Sequence, residues 1–314
     1  MMATDWYMYL LYFLIFPGFI FSLLVGLLAV WIDRKVTARI QWRVGPPLLQ
    51  PVYDLVKLIG KEVLLPVGAQ PLVFLFAPLV GLAGAVLAAF LLGSVNFLQS
   101  SFVGDLIVLV YLLFLPSLAI IIGGSASGNP ISAIGSSREM KLILAYELPL
   151  ALAVITVIIN AGFTLNLNNI VAGPGAASVS GFLALLVTLI CVQAKLAVVP
   201  FDIPEAETEI MEGPLVEYSG LPLAIFKTME ALLLYILPLY VITLFLGGLG
   251  EGWWMLLGVL KYVLLLVIII LIKNTNPRLR IDQAVNFFWT KVTALALIAA
   301  GLAALGEIYG VSWL

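Results

Sequence analysis

The sequence predicts an all-α integral membrane protein with eight transmembrane helices and an amphipathic surface helix after the first span. Of its 314 residues, 63% are hydrophobic and only 10% are charged, and the mean hydropathy is +1.18. Soluble domains are about half apolar and about one quarter charged. Lipid-exposed backbone must satisfy its hydrogen bonds within the segment, and the alternation typical of barrel strands is absent. Residues 1–314 are therefore expected to form a single polytopic membrane domain.

The spans follow from the apolar runs, because about 20 residues of helix cross about 30 Å of hydrocarbon. Windows of about 19 residues place them at residues 10–31, 72–92, 104–123, 142–161, 180–200, 221–246, 253–272 and 291–309. The first run has no basic start and no small-residue cleavage site. It is therefore expected to be a retained helix rather than a cleaved signal peptide.

Basic residues divide the loops into two sets. The loops at 33–70, 124–141, 201–220 and 273–290 hold Arg34, Lys35, Arg39, Arg43, Lys57, Lys61, Arg138, Lys141, Lys273, Arg278 and Arg280. The other loops and both termini hold no lysine or arginine. Because Lys and Arg are enriched in cytoplasmic loops, the sequence predicts a multi-pass cell-membrane protein with both termini outside and the large loops in the cytoplasm.

The first of these loops contains more than a connection. After Pro46 and Pro47, apolar residues recur with a spacing near 3.6 among Asp54, Lys57 and Lys61, which predicts an amphipathic helix along the membrane surface. It could anchor the chain to the bilayer or bind a partner subunit, and the two roles are compatible.

The chain offers few ligands for a cofactor. It has no histidine, and its single cysteine, Cys191, lies in an apolar run. Zinc, haem and iron–sulfur clusters need such ligands in number. We therefore expect no metal, cofactor or catalytic residue in this chain, and any redox cofactor belongs to a partner.

Ionisable residues within spans are costly, at about 2.5 to 3.5 kcal/mol on insertion scales, and need a partner, a wet cavity or a function. Glu147 lies in span four, and Glu230 lies in span six, three residues after Lys227, with which it could pair. Lys195, near the end of span five, could extend to the cytoplasmic interface. Lys261, near the middle of span seven, is expected to have a buried carboxylate partner or a place in an ion path.

Acidic residues concentrate in the loop after span five, namely Asp202, Glu205, Glu207, Glu209, Glu212 and Glu217. Asp202 and Glu205 have capping-box spacing around Pro204, which predicts a short helix with Glu205, Glu209 and Glu212 along one side. A solvated acidic loop is the alternative, although apolar residues interrupt the segment. Carboxylates held together in a half-buried setting raise one another's proton affinity, as a proton relay near neutral pH requires.

Four blocks together carry a family resemblance: DRKVTARIQWRVGPPLLQPVYDLVKLIGKE after span one, SSREMKLILAYELPL into span four, VPFDIPEAETEIMEGPLVEYSG after span five, and NPRLRIDQ before span eight. They resemble the membrane subunit shared by respiratory complex I and energy-converting membrane-bound nickel–iron hydrogenases. The order, sidedness and spacing of the blocks agree over essentially the whole chain.

The resemblance implies a subunit that joins a cytoplasmic electron-transfer arm to antiporter-like membrane subunits. The implied partners are hydrogenase-like large and small subunits, which hold the nickel–iron site, a ferredoxin-type iron–sulfur subunit, the antiporter-like subunits and the lipid bilayer, with no nucleic acid. By matching position, a carboxylate funnel would comprise Glu147, Glu205, Glu207, Glu209, Glu217 and Glu230. Helical spacing adds Glu212, and Lys261 is added as a buried charge. The implied contacts with the arm are Asp33, Arg34, Lys35, Arg39, Arg43, Asp202, Arg278, Arg280 and Asp282.

Two departures favour one branch of this family. Quinone-reducing relatives carry a glutamate and an arginine at the positions of Lys195 and Val198, and they have a longer loop where this chain reads VGPPLLQP. The predicted function is therefore that of a cofactor-free subunit of a ferredoxin-linked, hydrogenase-like complex, including its archaeal sulfane-reducing version, which couples electron transfer to proton or sodium translocation. A quinone-linked complex I subunit, a stand-alone transporter and a purely structural docking subunit remain alternatives.

Overall fold

The computed structural model describes residues 6–173, 175–250, 252–311 and 313, except for the side chains of 6, 7, 9, 10, 207 and 208. In this described part all regular structure is helical. The α-helices are α1 (Trp6–Leu14), α2 (Phe19–Ile40), α3 (Gln50–Ile59), α4 (Pro71–Gly93), α5 (Asp105–Ala126), α6 (Pro130–Asn160), α7 (Leu167–Ala172), α8 (Val179–Lys195), α9 (Glu207–Ile210), α10 (Gly220–Phe245), α11 (Met255–Thr275), α12 (Ile281–Asn286) and α13 (Thr293–Tyr309). Short π-helical segments extend α4 over Ser94–Leu98 and join α12 to α13 over Phe287–Val292.

The predicted all-α membrane fold is confirmed in its main features. Among the described residues, 7 helical stretches are long and apolar enough to cross a bilayer: Leu11–Ile40, Pro71–Leu98, Asp105–Ala126, Pro130–Asn160, Gly220–Phe245, Gly252–Thr275 and Ile281–Tyr309. The remaining predicted span is α8, an apolar helix of 17 residues. This length is at the lower limit for crossing the hydrocarbon core, so the count of eight spans stays a prediction.

The ends of four helices differ from the bounds of the predicted spans. Helix α2 continues from residue 31 to Ile40, α6 begins at Pro130 rather than 142, α8 ends at Lys195 rather than 200, and the last helical stretch begins at Ile281 rather than 291. Hydropathy marks only the part of a helix that is soluble in lipid, whereas helical hydrogen bonding can continue into polar residues. The start of α6 shows this, because the Asn129 side chain caps it by accepting from the Ile131 amide.

The four basic loops meet at one end of the helix bundle, which we call the basic end. Lys273 at the end of α11 pairs with Asp33 on α2 at 2.8 Å, and Arg278 pairs with Asp202 at 2.5 Å. The remaining connections meet at the opposite end, where Asn168 donates to the Gln99 carbonyl oxygen at 2.8 Å and the Val179 amide donates to the Trp313 carbonyl oxygen at 3.0 Å. The predicted alternation of loops is therefore present. Which end faces the cytoplasm stays a prediction.

Helix α10 lies at the centre of the bundle. It packs against α2, α3, α4, α8 and α11, and nearly all of its residues from Ala231 to Phe245 are buried. Its first turns carry Lys227 and Glu230. The central helix thus places both charged side chains where several helices converge at the basic end.

The acidic loop joins α10 through a tyrosine that compensates for a proline in α4. Pro78 has no amide hydrogen, so the carbonyl oxygen of Phe74, four residues earlier, lacks its helical donor. The Tyr218 hydroxyl donates to this oxygen at 3.0 Å, and the two rings stack at 4.0 Å with an angle of 3°. This contact fixes the end of the acidic loop against α4.

The predicted surface helix is confirmed as α3. Its Pro51 is buried, whereas Val56 and Ile59 on the outer face are 62% and 59% exposed. An apolar outer face suits either the bilayer surface or a partner subunit, so both predicted roles stay open.

Candidate functional site

A cavity of about 310 Å³ lies at the basic end, between α2, α3, α5, α6, α10 and the segment that follows α8. Charged side chains of both signs line it, namely Asp33, Arg34, Asp54, Glu139, Lys195, Glu205, Lys227, Glu230 and Lys273. Among the predicted site residues, the structure brings Asp33, Arg34, Glu205 and Glu230 together in this one cavity.

Ion pairs hold the helices around the cavity. Arg34 on α2 contacts Asp54 on α3 at 2.5 Å, and its hydrogen bond lowers the pKa of the Asp54 carboxyl. Asp33 pairs with Lys273 of α11. Of the predicted contacts with a redox arm, Asp33 and Arg34 are therefore engaged within the chain.

Glu205 lies beside Lys227 and Glu230, two charged residues on one turn of α10. Lys227 donates to both carboxylate oxygens of Glu230 at 3.0 Å, which confirms their predicted pairing. Burial, together with the negative charge of Glu230, raises the pKa of Glu205 to about 8, although Lys227 opposes this shift. Glu205 can therefore gain or lose a proton near neutral pH.

This pKa predicts how stability depends on pH. The Glu205 pKa rises from 4.5 to about 8 in the folded protein. Between these values the folded state keeps a proton that the unfolded chain has released, so the contribution of Glu205 to stability decreases as the pH rises. Thermal unfolding measured across this range is expected to show a flatter dependence in Glu205→Gln than in the wild type. Glu307→Gln, an exposed change in α13, is the control; equal slopes in Glu205→Gln and wild type would contradict the prediction.

Glu139 is a cavity residue that the sequence analysis missed. It is 4% exposed, and Ser117 of α5 and Lys195 are polar groups that face it. It was overlooked because residues 124–141 were predicted to be a loop, whereas α6 begins at Pro130. Hydropathy gave no signal for its burial, because Ser136, Ser137 and Arg138 directly precede it in a polar stretch.

Lys195 does not extend to the membrane interface, so that prediction was wrong. The side chain is 5% exposed, and Nζ lies 5.3 Å from the centroid of the Tyr146 ring. Residues 196–198 follow the end of α8 and line the cavity, which keeps the ammonium group inside the protein. Glu147 is half-buried in the middle of α6, and its carboxylate interacts more strongly with the Lys195 charge than the Glu139 carboxylate does.

The predicted helix at Asp202 was also wrong. Helix α9 covers only Glu207–Ile210, and Ala206, which precedes it, offers no side-chain cap. The Asp202 carboxylate bonds to Arg278 instead of capping a helix. Glu205 therefore precedes the helix and does not share a helical face with Glu209 and Glu212.

The other predicted funnel carboxylates lie outside the cavity. Glu209 is exposed and pairs with Arg138 at 2.6 Å, Glu217 accepts a hydrogen bond from the Asn129 amide, and Glu212 is exposed. The side chain of Glu207 lies outside the described residues. Their roles as funnel members stay predictions.

Several predicted arm contacts meet in a second depression of about 250 Å³. Its charged lining comprises Arg138, Asp202, Glu209, Arg278, Arg280 and Asp282. Arg39 and Arg43 are exposed at the end of α2 and just after it, and Lys35 is partly exposed. These side chains form a charged surface at the basic end.

Lys261 lies far from the cavity. Its Nζ donates to the carbonyl oxygen of Leu246 at 2.7 Å, at the end of α10 away from Glu230. The expected carboxylate partner was therefore wrong for the described part of the chain, since the partner is a carbonyl left free by a helix end. A role in an ion path stays a prediction.

The chain is similar in sequence and in structure to several known proteins. The family described as NADH dehydrogenase matches residues 13–304. The H subunit of NADH-quinone oxidoreductase from Thermomicrobium roseum is 36% identical, with 98% of this chain and 99% of that protein covered, and the one from Dehalococcoides mccartyi is 32% identical, with 94% and 86% covered. A chain in the structure of the membrane-bound sulfane sulfur reductase, an archaeal respiratory membrane complex, has a TM-score of 0.81 and 32% identity over 90% of this chain and 96% of that one.

Proposed function

The chain belongs to the NADH dehydrogenase family that includes the H subunits of NADH-quinone oxidoreductases, and we propose that it couples a redox reaction in its partner subunits to ion movement through the membrane. It is a multi-pass membrane protein, and its relatives are subunits of multi-subunit respiratory oxidoreductases. In this proposal the chain catalyses no redox step itself.

The observation that carries the proposal is the charged cavity. It holds Glu139, Glu205 and Glu230 at the basic end, and Glu147 lies further along α6. Charges interact strongly where water is scarce, and Glu205 changes its protonation near neutral pH. A redox step that alters charge beside the cavity would thus shift these protonation states, and the shift would act on groups deeper in the bundle.

We further propose that the complex is ferredoxin-linked and of the hydrogenase type, with proton or sodium as the translocated ion. Its cytoplasmic arm would comprise hydrogenase-like large and small subunits and a ferredoxin-type subunit, which hold the nickel–iron site and the iron–sulfur clusters, and antiporter-like subunits would complete the membrane arm. Lys195 and Val198, both in the cavity wall, support this branch because quinone-reducing relatives differ at these two positions. The similarity to a chain of the sulfane sulfur reductase supports it as well.

A quinone-linked complex is the second candidate, favoured by the similarity to the H subunits of NADH-quinone oxidoreductase from Thermomicrobium and Dehalococcoides. Metal content, hydrogen evolution and inhibitor sensitivity of the detergent-solubilised complex that carries this chain distinguish the two candidates. We expect bound nickel, hydrogen evolution from reduced ferredoxin and no effect of quinone-site inhibitors. Inhibition by such compounds, without nickel or hydrogen evolution, would favour the quinone-linked complex. Ion flux from the chain reconstituted alone would instead indicate a stand-alone transporter.

A further inference from the structure

Three charged residues connect the cavity with the interior of the bundle. Glu139 and Glu147 are eight residues apart on α6, which corresponds to about 12 Å along the helix. Lys195 ends α8, which packs against α6. Glu139 and Lys195 line the cavity, whereas Glu147 does not. Lys195 therefore lies between a carboxylate at the cavity and one about two turns further along α6, near the middle of that helix.

The Lys195 ammonium group has no fixed ion pair among the described residues. Its Nζ lies over the ring of Tyr146, the residue that precedes Glu147 and that follows Glu139 by two helical turns. The carboxylates of Glu147 and Glu139 both act on it electrostatically. A buried ammonium group without a close partner is costly, and the face of an aromatic ring stabilises it in an intermediate position. The arrangement offers Lys195 two alternative partners.

From this arrangement, and building on the proposed function, we infer that Lys195 transfers the charge signal from the cavity to the membrane interior by exchanging its carboxylate partner between Glu139 and Glu147. The flexible four-carbon stem of lysine permits the exchange. Lys195 is in this sense a positioning residue, because it changes the state of Glu147 without contacting a substrate.

The exchange balances charge over its complete course. While Glu139 carries a proton, the ammonium group pairs with the Glu147 carboxylate. When Glu139 releases its proton to water in the cavity, its carboxylate attracts the ammonium group. Glu147 then lacks a counter-charge in an apolar environment, which raises its affinity for a proton, and it takes up one proton from solvent. One proton leaves Glu139, one joins Glu147, and Lys195 keeps its own.

The test compares Lys195→Met, Glu139→Gln and the double variant in the complete complex reconstituted in liposomes. Lys195→Met is expected to lower the number of ions translocated per electron by about tenfold or more, with electron transfer to artificial acceptors unchanged. The double variant removes both charges of the cavity-side pair, so its thermal stability is expected to approach that of the wild type, while ion translocation stays lost.

Two outcomes would overturn the inference. One is wild-type translocation in Lys195→Met. The other is recovery of both stability and translocation in the double variant, because Lys195 would then only neutralise Glu139. If Lys195→Met does not assemble, the double variant is compared with Glu139→Gln: lower translocation in the double variant supports the inference, and equal translocation in the two overturns it.

The matched control is Lys291→Met, an exposed lysine in the π-helical segment before α13, which is expected to translocate normally. Glu147→Gln in parallel separates this inference from the proposed function. Normal translocation in Glu147→Gln would contradict the proposed function itself. Loss of translocation in Glu147→Gln but not in Lys195→Met would overturn only the role of Lys195.

Discussion

Replacement of Glu147 or Glu230 by glutamine is expected to uncouple the complex: electrons still reach artificial acceptors from the soluble arm, but ion translocation falls by about tenfold or more. Glutamine keeps the shape of glutamate but cannot carry its charge. In Glu147→Gln, Lys195 loses the carboxylate whose charge acts on it most strongly. In Glu230→Gln, Lys227 loses the carboxylate that it contacts at two oxygens, both at 3.0 Å.

Proteoliposomes that contain the complete complex and an ion-sensitive dye measure this effect directly, with acceptor reduction recorded in the same sample. Glu307→Gln changes an exposed carboxylate in the last two turns of α13 and is expected to leave both rates unaltered. Full coupled activity in both Glu147→Gln and Glu230→Gln would contradict the proposed function. It would favour a subunit that only anchors its partners.

The helical fold could be predicted because one physical property governs it. Long apolar runs can satisfy their backbone only as helices in lipid, and the basic residues mark alternate loops. The pairing of Lys227 with Glu230 was predictable for a similarly local reason, since residues three apart face the same side of a helix. Helix α3 was found from its spacing alone.

The burial of Glu139 could not be predicted from hydropathy. A polar stretch such as 130–141 can continue a helix and pack against neighbouring helices beyond the apolar zone, as the first turns of α6 do. The failed capping box at Asp202 has a related cause. Its carboxylate is bound by Arg278, which lies 76 residues away in the sequence. Contacts at such separation are set by the packing of the bundle and not by local spacing.

The contacts of two lysines in apolar runs also could not be predicted from local spacing. Lys195 and Lys261 were correctly singled out as charges in apolar runs, but their surroundings depend on tertiary structure. One faces the ring of Tyr146 and the other a helix-end carbonyl at Leu246. Composition indicates that such a charge needs compensation, whereas only the fold determines which group provides it.

The acidic loop is expected to depend strongly on one glycine. Gly213 has φ +53°, and a Cβ added there would overlap the carbonyl oxygen of Pro204. In Gly213→Ala the alanine must adopt a left-handed conformation, which costs an L-residue about 1 to 2 kcal/mol. Its Cβ also overlaps a backbone oxygen that cannot rotate away. The loop would have to open next to Glu205. We expect a clear decrease in the thermal unfolding temperature and a loss of coupled ion translocation.

Gly162→Ala separates these two effects. Gly162 has φ +73°, but apart from its own chain neighbours no described atom lies within 4 Å of the position that an added Cβ would occupy. It should show only the conformational cost and retain coupling. Equal effects of the two substitutions would mean that the close approach to Pro204 is unimportant. A loss of coupling confined to Gly213→Ala, in a chain that keeps every carboxylate, would instead show that coupling depends on where the loop holds Glu205, since its proton affinity is set by its burial and by its neighbour Glu230.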